Sequence, residues 1–183
     1  MIAYKYRGIE RDFDRDLESL SKNQIYAAPF IKLNDPFEGL YNEEITQLAT
    51  FLGKKFNVDV SDFIEQLELI KEVYNTSGIY SLSATYSDEL MWAHYANSHK
   101  GFCIEYDTTK LKKKYLIPKT VNELGVDYKP SPQNITYLDI REENELLKKL
   151  FATKSLKWEY EQEIRLIFDS CGSKDYHSSA LTG

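Results

Sequence analysis

The chain has 183 residues, 42% of them hydrophobic, with 23 Lys and Arg against 29 Asp and Glu and a net charge of −6. That is enough chain to bury a core without disulfides or metal, so a single domain over 1–183 is expected. The acid excess argues against a protein that coats nucleic acid through bulk charge, and with no run near 18 apolar residues neither a signal peptide nor a membrane span is predicted.

Ile2, Tyr4 and Tyr6 alternate with Ala3, Lys5 and Arg7, which is the period of a strand and puts Lys5 and Arg7 on one side. Phe13, Leu17 and Leu20 follow at helical spacing among charges, so a surface helix with a narrow apolar stripe is predicted. Gln24 to Ala28 reads as a second strand closed by Pro29. The stretch Asn34-Asp35-Pro36-Phe37-Glu38-Gly39 suits no periodic element, because Pro36 lacks an N–H and biases Asp35 away from helix. It predicts a turn with exposed acids that either bonds its own backbone or contacts a ligand, with Phe37 as its apolar anchor. Two helices follow, at about 42–56 (Ile45, Leu48, Ala49 and Leu52) and 61–74 (Phe63, Leu67, Ile70 and Tyr74), and the region 41–76 reads as a helical insert or lid.

Most of the chemistry lies between Ser81 and Asp107, which reads as strand, helix, strand. Ile79, Tyr80 and Leu82 suggest the first strand. Ser87 is the expected N-cap of a helix starting at about Asp88, and Gly101 is expected to end it in the left-handed conformation. Trp92, His94, Tyr95 and His99 then make either a wall for a planar ligand or, more plainly, core filling. Phe102, Ile104 and Tyr106 form one face of the next strand, with Cys103 and Glu105 on the other. Cys103 and Cys171 have no metal or disulfide spacing, and a reducing cytoplasm suits them.

Lys110 to Lys114 reads as a solvated helix face, Val126 to Tyr128 as a short strand, and Arg141 to Ala152 as a helix with Leu146, Leu147, Leu150 and Phe151 inward. In the final strand Ile164, Leu166 and Phe168 face a core while Glu161, Glu163 and Arg165 share the other side. Those three either keep a sheet edge soluble as an ion pair or form a carboxylate fixed by Arg165 for chemistry. The tail 169–183, with His177, is expected to be loosely ordered. The whole predicts an α+β fold with about six short strands, in a mixed or antiparallel sheet, and about six flanking helices.

Four runs resemble a known bacterial family, domain of unknown function 2971. They are Tyr4-Lys5-Tyr6-Arg7, Asn34-Asp35-Pro36-Phe37-Glu38, Met91-Trp92-Ala93-His94-Tyr95-Ala96 with His99-Lys100-Gly101-Phe102, and Lys154-Ser155 with Trp158, Glu161, Glu163 and Arg165. The match extends from the first strand to Phe168. More distantly the chain is similar to the ADP-ribosyltransferase superfamily, including toxins and phage-defence effectors that modify nucleic acid or protein. That resemblance implies NAD as cofactor, Arg7 holding its ribose or diphosphate, Ser83 or Tyr95 bordering the nicotinamide, and Glu163, with Glu161 as rival, as catalytic acid. From the residues themselves, His94 joins the candidate catalytic set, and Tyr6, Asn34, Asp35, Phe37, Glu38, Trp92 and Arg165 the candidate cofactor-binding set. A nucleic acid or protein target and an antitoxin-type partner are further implications of the resemblance. Two other readings stay open: a metal-dependent nuclease or phosphodiesterase built on Asp35, Glu38, Glu161 and Glu163, and a module that binds a nucleotide or partner without turnover.

Overall fold

The structure, a computed structural model, describes residues 1–10, 13–35, 53–57, 59–112, 121–131 and 148–183. Phe37, Glu38, the stripe from Ile45 to Leu52, and Leu146 and Leu147 lie outside the described residues, as do the side chains of Leu67, Ile70 and Tyr74. In chain order the elements are β1 (Ile2–Arg7), α1 (Phe13–Ser21), β2 (Gln24–Pro29), a 3-10 turn (Phe30–Lys32), α2 (Ser61–Thr76), β3 (Gly78–Ser83), α3 (Glu89–Tyr95), β4 (Phe102–Asp107) and α4 (Thr108–Lys112). Then come β5 (Val121–Gly125), β6 (Asp127–Lys129), β7 (Thr153–Ser155), a 3-10 turn (Leu156–Glu161), β8 (Glu163–Phe168), β9 (Gly172–Asp175) and a last 3-10 turn (Ser178–Ala180). The fold is α+β.

Seven strands make one antiparallel sheet, and β6 and β7 form a separate parallel pair. β3 is its hub. Along one edge it pairs with β8 from Gly78 opposite Phe168 to Ser83 opposite Glu163, and β5 continues the sheet beyond β8. The other edge is shared: β1 joins it at Tyr4 opposite Ser83, and β2 joins it at Ala28 opposite Ile79 and Pro29 opposite Gly78. β4 lies outside β1 and β9 outside β2, so the sheet forks into two arms.

Both arms contribute to the core. Ala3, Ile25, Ala27, Tyr80, Leu82, Ile104, Tyr106, Leu166 and Phe168 belong to one buried cluster, as the alternation of β4 predicts, whereas β1 gives it Ala3 from the face of Lys5 and Arg7 and leaves Ile2 exposed. A second, smaller cluster on the opposite side of β1 gathers Tyr6, Met91 and Ala96 with half-buried Trp92, Tyr95, Cys103 and Tyr160.

Several expectations change. The N-cap of α3 is Asp88, whose carboxylate accepts from the Met91 N–H at 3.0 Å, rather than Ser87. The left-handed residues after α3 are Asn97, Ser98 and His99, not Gly101. Glycine is needed at 101 for proximity: a Cβ there would sit 2.0 Å from the Arg7 carbonyl oxygen, where α3 and β1 nearly touch. α1 buries Asp16, while Phe13 and Leu17 of its apolar stripe stay exposed. β8 is no edge, since all six of its residues are buried between β3 and β5. The tail is ordered too. β9 pairs with β2 from Gln24 opposite Asp175 to Ala27 opposite Gly172, Tyr176 and Ala180 are buried, and the His177 imidazole caps the last turn. β5, β7 and β9 raise the strand count to nine among the described residues.

Candidate active site

Where the sheet forks, β1, β2, β3 and α1 surround a cavity of about 600 Å³. That is the size of a small-molecule site. Lys5 and Arg7 line it from β1, Asp16 from α1, Asn34 from the loop after β2, Tyr95 from α3, and Glu161 and Glu163 from the approach to β8.

The acid end is a closed network. Glu163 opens β8, and Arg165, two residues on along the same strand face, grips its carboxylate with Nε on Oε1 at 2.9 Å and Nη2 on Oε2 at 3.0 Å. Arg165 is fully buried, and its Nη1 donates to the Phe151 carbonyl at 2.8 Å. Gln162, left-handed at φ 43°, turns the chain between the two acids, and both converge on Lys154 of β7. The Lys154 Nζ lies 2.5 Å from Glu161 Oε2 and 3.3 Å from Glu163 Oε2, donates to Asn34 Oδ1 at 3.0 Å, and sits over the Trp158 ring. Asn34 in turn donates to the Tyr95 hydroxyl, which donates to Glu161 Oε1.

This wiring fixes protonation as well as position. Burial alone would raise the Glu163 carboxyl, but the Arg165 guanidinium and Lys154 ammonium outweigh it and hold the group down at about 2. It is a permanent anion at neutral pH. The Tyr95 phenol is raised by burial and by its bond to Glu161, so it keeps its proton and remains a donor.

The β1 side is looser. The Arg7 Nε lies 3.5 Å from a carboxylate oxygen of buried Asp16. Lys5 donates to the Ser81 carbonyl at 2.7 Å and stands 4.9 Å from the centre of the Tyr80 ring. Burial, then the neighbouring Arg7, pulls its ammonium down to about 7.

Of the residues singled out in the sequence, Arg7, Tyr6, Asn34, Ser83, Tyr95, Glu161 and Glu163 border this cavity. Ser83 is buried and donates to the Glu161 carbonyl at 2.8 Å. Asp35 is buried beside the cavity, its Oδ2 accepting from the Ser155 N–H at 2.5 Å, which corrects its reading as an exposed acid. Arg165 lies beneath the site. Trp92 and His94 point elsewhere: the Trp92 Nε1 donates to the Tyr86 carbonyl at 2.7 Å with its ring edge-on to Tyr6, and exposed His94 lies against Tyr160. Lys5, Asp16 and Lys154 were given no role at the site. Asp16 and Lys154 are buried and Lys5 is half-buried, and the signals for the two lysines were their places in the family-like runs and, for Lys5, the strand side it shares with Arg7. Among the described residues no three His, Cys, Asp or Glu side chains converge as metal ligands, and the cations that Glu161 and Glu163 face are Lys154 and Arg165.

Residues 91–166 match the family model described as Protein of unknown function (DUF2971). The match supports kinship with that family. It runs from α3 into β8 and takes in Tyr95, Lys154, Glu161, Glu163 and Arg165, while Tyr4 to Arg7 and Asn34 to Glu38 precede it. No curated protein and no solved structure matches the chain.

Proposed function

We propose that the chain is an ADP-ribosyltransferase-like enzyme that uses NAD as donor in the forked cavity. What supports this most is the order β1, β3, β8, which brings Arg7, Ser83 and the ionised Glu163 onto three adjacent strands around one hollow. NAD supplies an ADP-ribosyl group when its nicotinamide bond breaks. The cavity is large enough for part of such a ligand, with Lys5 and Arg7 on the β1 side to meet phosphate oxygens and Glu161 and Glu163 on the β8 side. Glu163, held immobile by Arg165 and Lys154, presents negative charge where positive charge develops on a ribose, and a preoriented carboxylate needs no rearrangement as it does so. Tyr95 and Asn34 hold Glu161 beside it. On this reading the protein acts in the cytoplasm as a toxin or phage-defence effector on a nucleic acid or protein target, with an antitoxin-type protein as a fitting partner.

The test is nicotinamide release from NAD by the purified chain, with chelator present. Glu163→Gln is expected to lower it about a hundredfold or more. Because this change also disturbs the Arg165 pair, Arg7→Ala is measured alongside and is expected to raise KM for NAD while the thermal midpoint holds. Binding of NAD without turnover in the wild type would leave a nucleotide-binding module. Phosphodiester cleavage that a chelator stops would instead establish a metal-dependent nuclease.

A further inference from the structure

Lys5 occupies the notch of the fork. On that edge of β3 the ladder is carried by Tyr4 opposite Ser83 at one end and by Ala28 and Pro29 opposite Ile79 and Gly78 at the other. Between them the carbonyl of Ser81 receives an amine in place of a strand, the Lys5 Nζ at 2.7 Å. No ion pair among the described residues involves Lys5, in contrast to Lys154, which two carboxylates hold.

We propose that Lys5 is an imine-forming amine and that the cavity takes a small phosphorylated aldehyde, whose carbonyl carbon Lys5 attacks. This rests on the cavity and on Lys5 and stands apart from the transferase reading. Three features support it. The amine lines a cavity of about 600 Å³, so a ligand of that kind reaches it. Arg7, two residues along on the same strand face and lining the same cavity, offers a guanidinium to the phosphate. The groups that act on the amine are Arg7 on β1, Asp16 on α1, and Glu161 and Glu163 beside β8, with the Tyr80 ring beneath it; burial and Arg7 prevail, and the ammonium loses its proton near pH 7.

The chemistry closes without a further reactant. The unprotonated nitrogen gives its lone pair to the carbonyl carbon, the C=O electron pair moves to oxygen, and the proton shed by nitrogen passes to that oxygen. Loss of one water from the carbinolamine then forms the C=N bond, and hydrolysis reverses it. A protonated imine keeps one N–H, which is enough to retain the bond to the Ser81 carbonyl.

The probe is pyridoxal 5′-phosphate added to the full chain at a series of pH values, followed by borohydride reduction and peptide mapping. The expected result is labelling of Lys5 at least tenfold above any other lysine, at a rate that levels off above about pH 8 while surface amines keep climbing about tenfold per pH unit. Pyridoxal without its phosphate is expected to label Lys5 several-fold less. Lys5→Arg, which keeps a donor for Ser81, is expected to abolish the signal with little change in thermal midpoint. Labelling spread over surface lysines, or a Lys5 rate still climbing above pH 8, would overturn the proposal. Mapping is done on the wild type, so the outcome does not depend on whether the variant folds.

Discussion

The two ends of the cavity carry similar charges in opposite states. At the β8 end every charged group is buried and multiply bonded: Arg165 to Glu163 and the Phe151 carbonyl, Lys154 to Glu161, Glu163 and Asn34. At the β1 end Arg7 and Lys5 are half-buried, one beside Asp16 at 3.5 Å and the other on a single backbone carbonyl. Buried charges repay their desolvation only when closely paired, so the first end is rigid by necessity, whereas the second keeps cations that a ligand can recruit. A carboxylate poised for chemistry and a mouth that adapts to an anion call for that division.

Breaking each end should expose the contrast. Arg165→Met leaves Glu163 buried without its strongest partner and is expected to cost about 3–5 kcal/mol in a urea melt, whereas Arg7→Met is expected to cost about 1 kcal/mol or less. Equal losses would mean that the two ends are alike. Acid supplies the next test. Because the Glu163 carboxyl is depressed from 4.5 to about 2, its contribution is complete above the unfolded value and is lost as the pH falls from about 4.5 towards 2. That amounts to on the order of 3 kcal/mol, and a melt series across this window on the wild type and Glu163→Gln should show the wild type falling faster. Smallest is Tyr95→Phe, which removes a donor to Glu161 and an acceptor for Asn34 and is expected to cost about 1 kcal/mol, read from the denaturation midpoint.

What the sequence revealed follows from where burial makes a pattern. β1, β4 and β8 alternate or run apolar over six residues each, so Ile2 to Arg7, Phe102 to Asp107 and Glu163 to Phe168 could be read directly, and with them the shared side of Glu163 and Arg165. β7 and β9 could not. Thr153-Lys154-Ser155 and Gly172-Ser173-Lys174-Asp175 are polar, and their partner strands, not a periodicity of their own, make them strands. Lys154 was hidden for the same reason: a lysine in a polar tripeptide looks like surface until Asn34, Glu161 and Glu163 meet it from three directions. Gly101 was read as a helix stop because glycine commonly is one, but the reason for it here lies in β1, 94 residues earlier at Arg7.

The forked edge of β3 has a mechanical consequence. Among the described residues the β1–β4 arm and the β2–β9 arm are each laddered to β3 but not to one another, and within the notch Lys5 ties β1 to the Ser81 carbonyl of β3. Removing that donor, as Lys5→Met would, therefore unlatches a backbone seam, and the loss becomes legible from a distance as faster amide exchange along the rim.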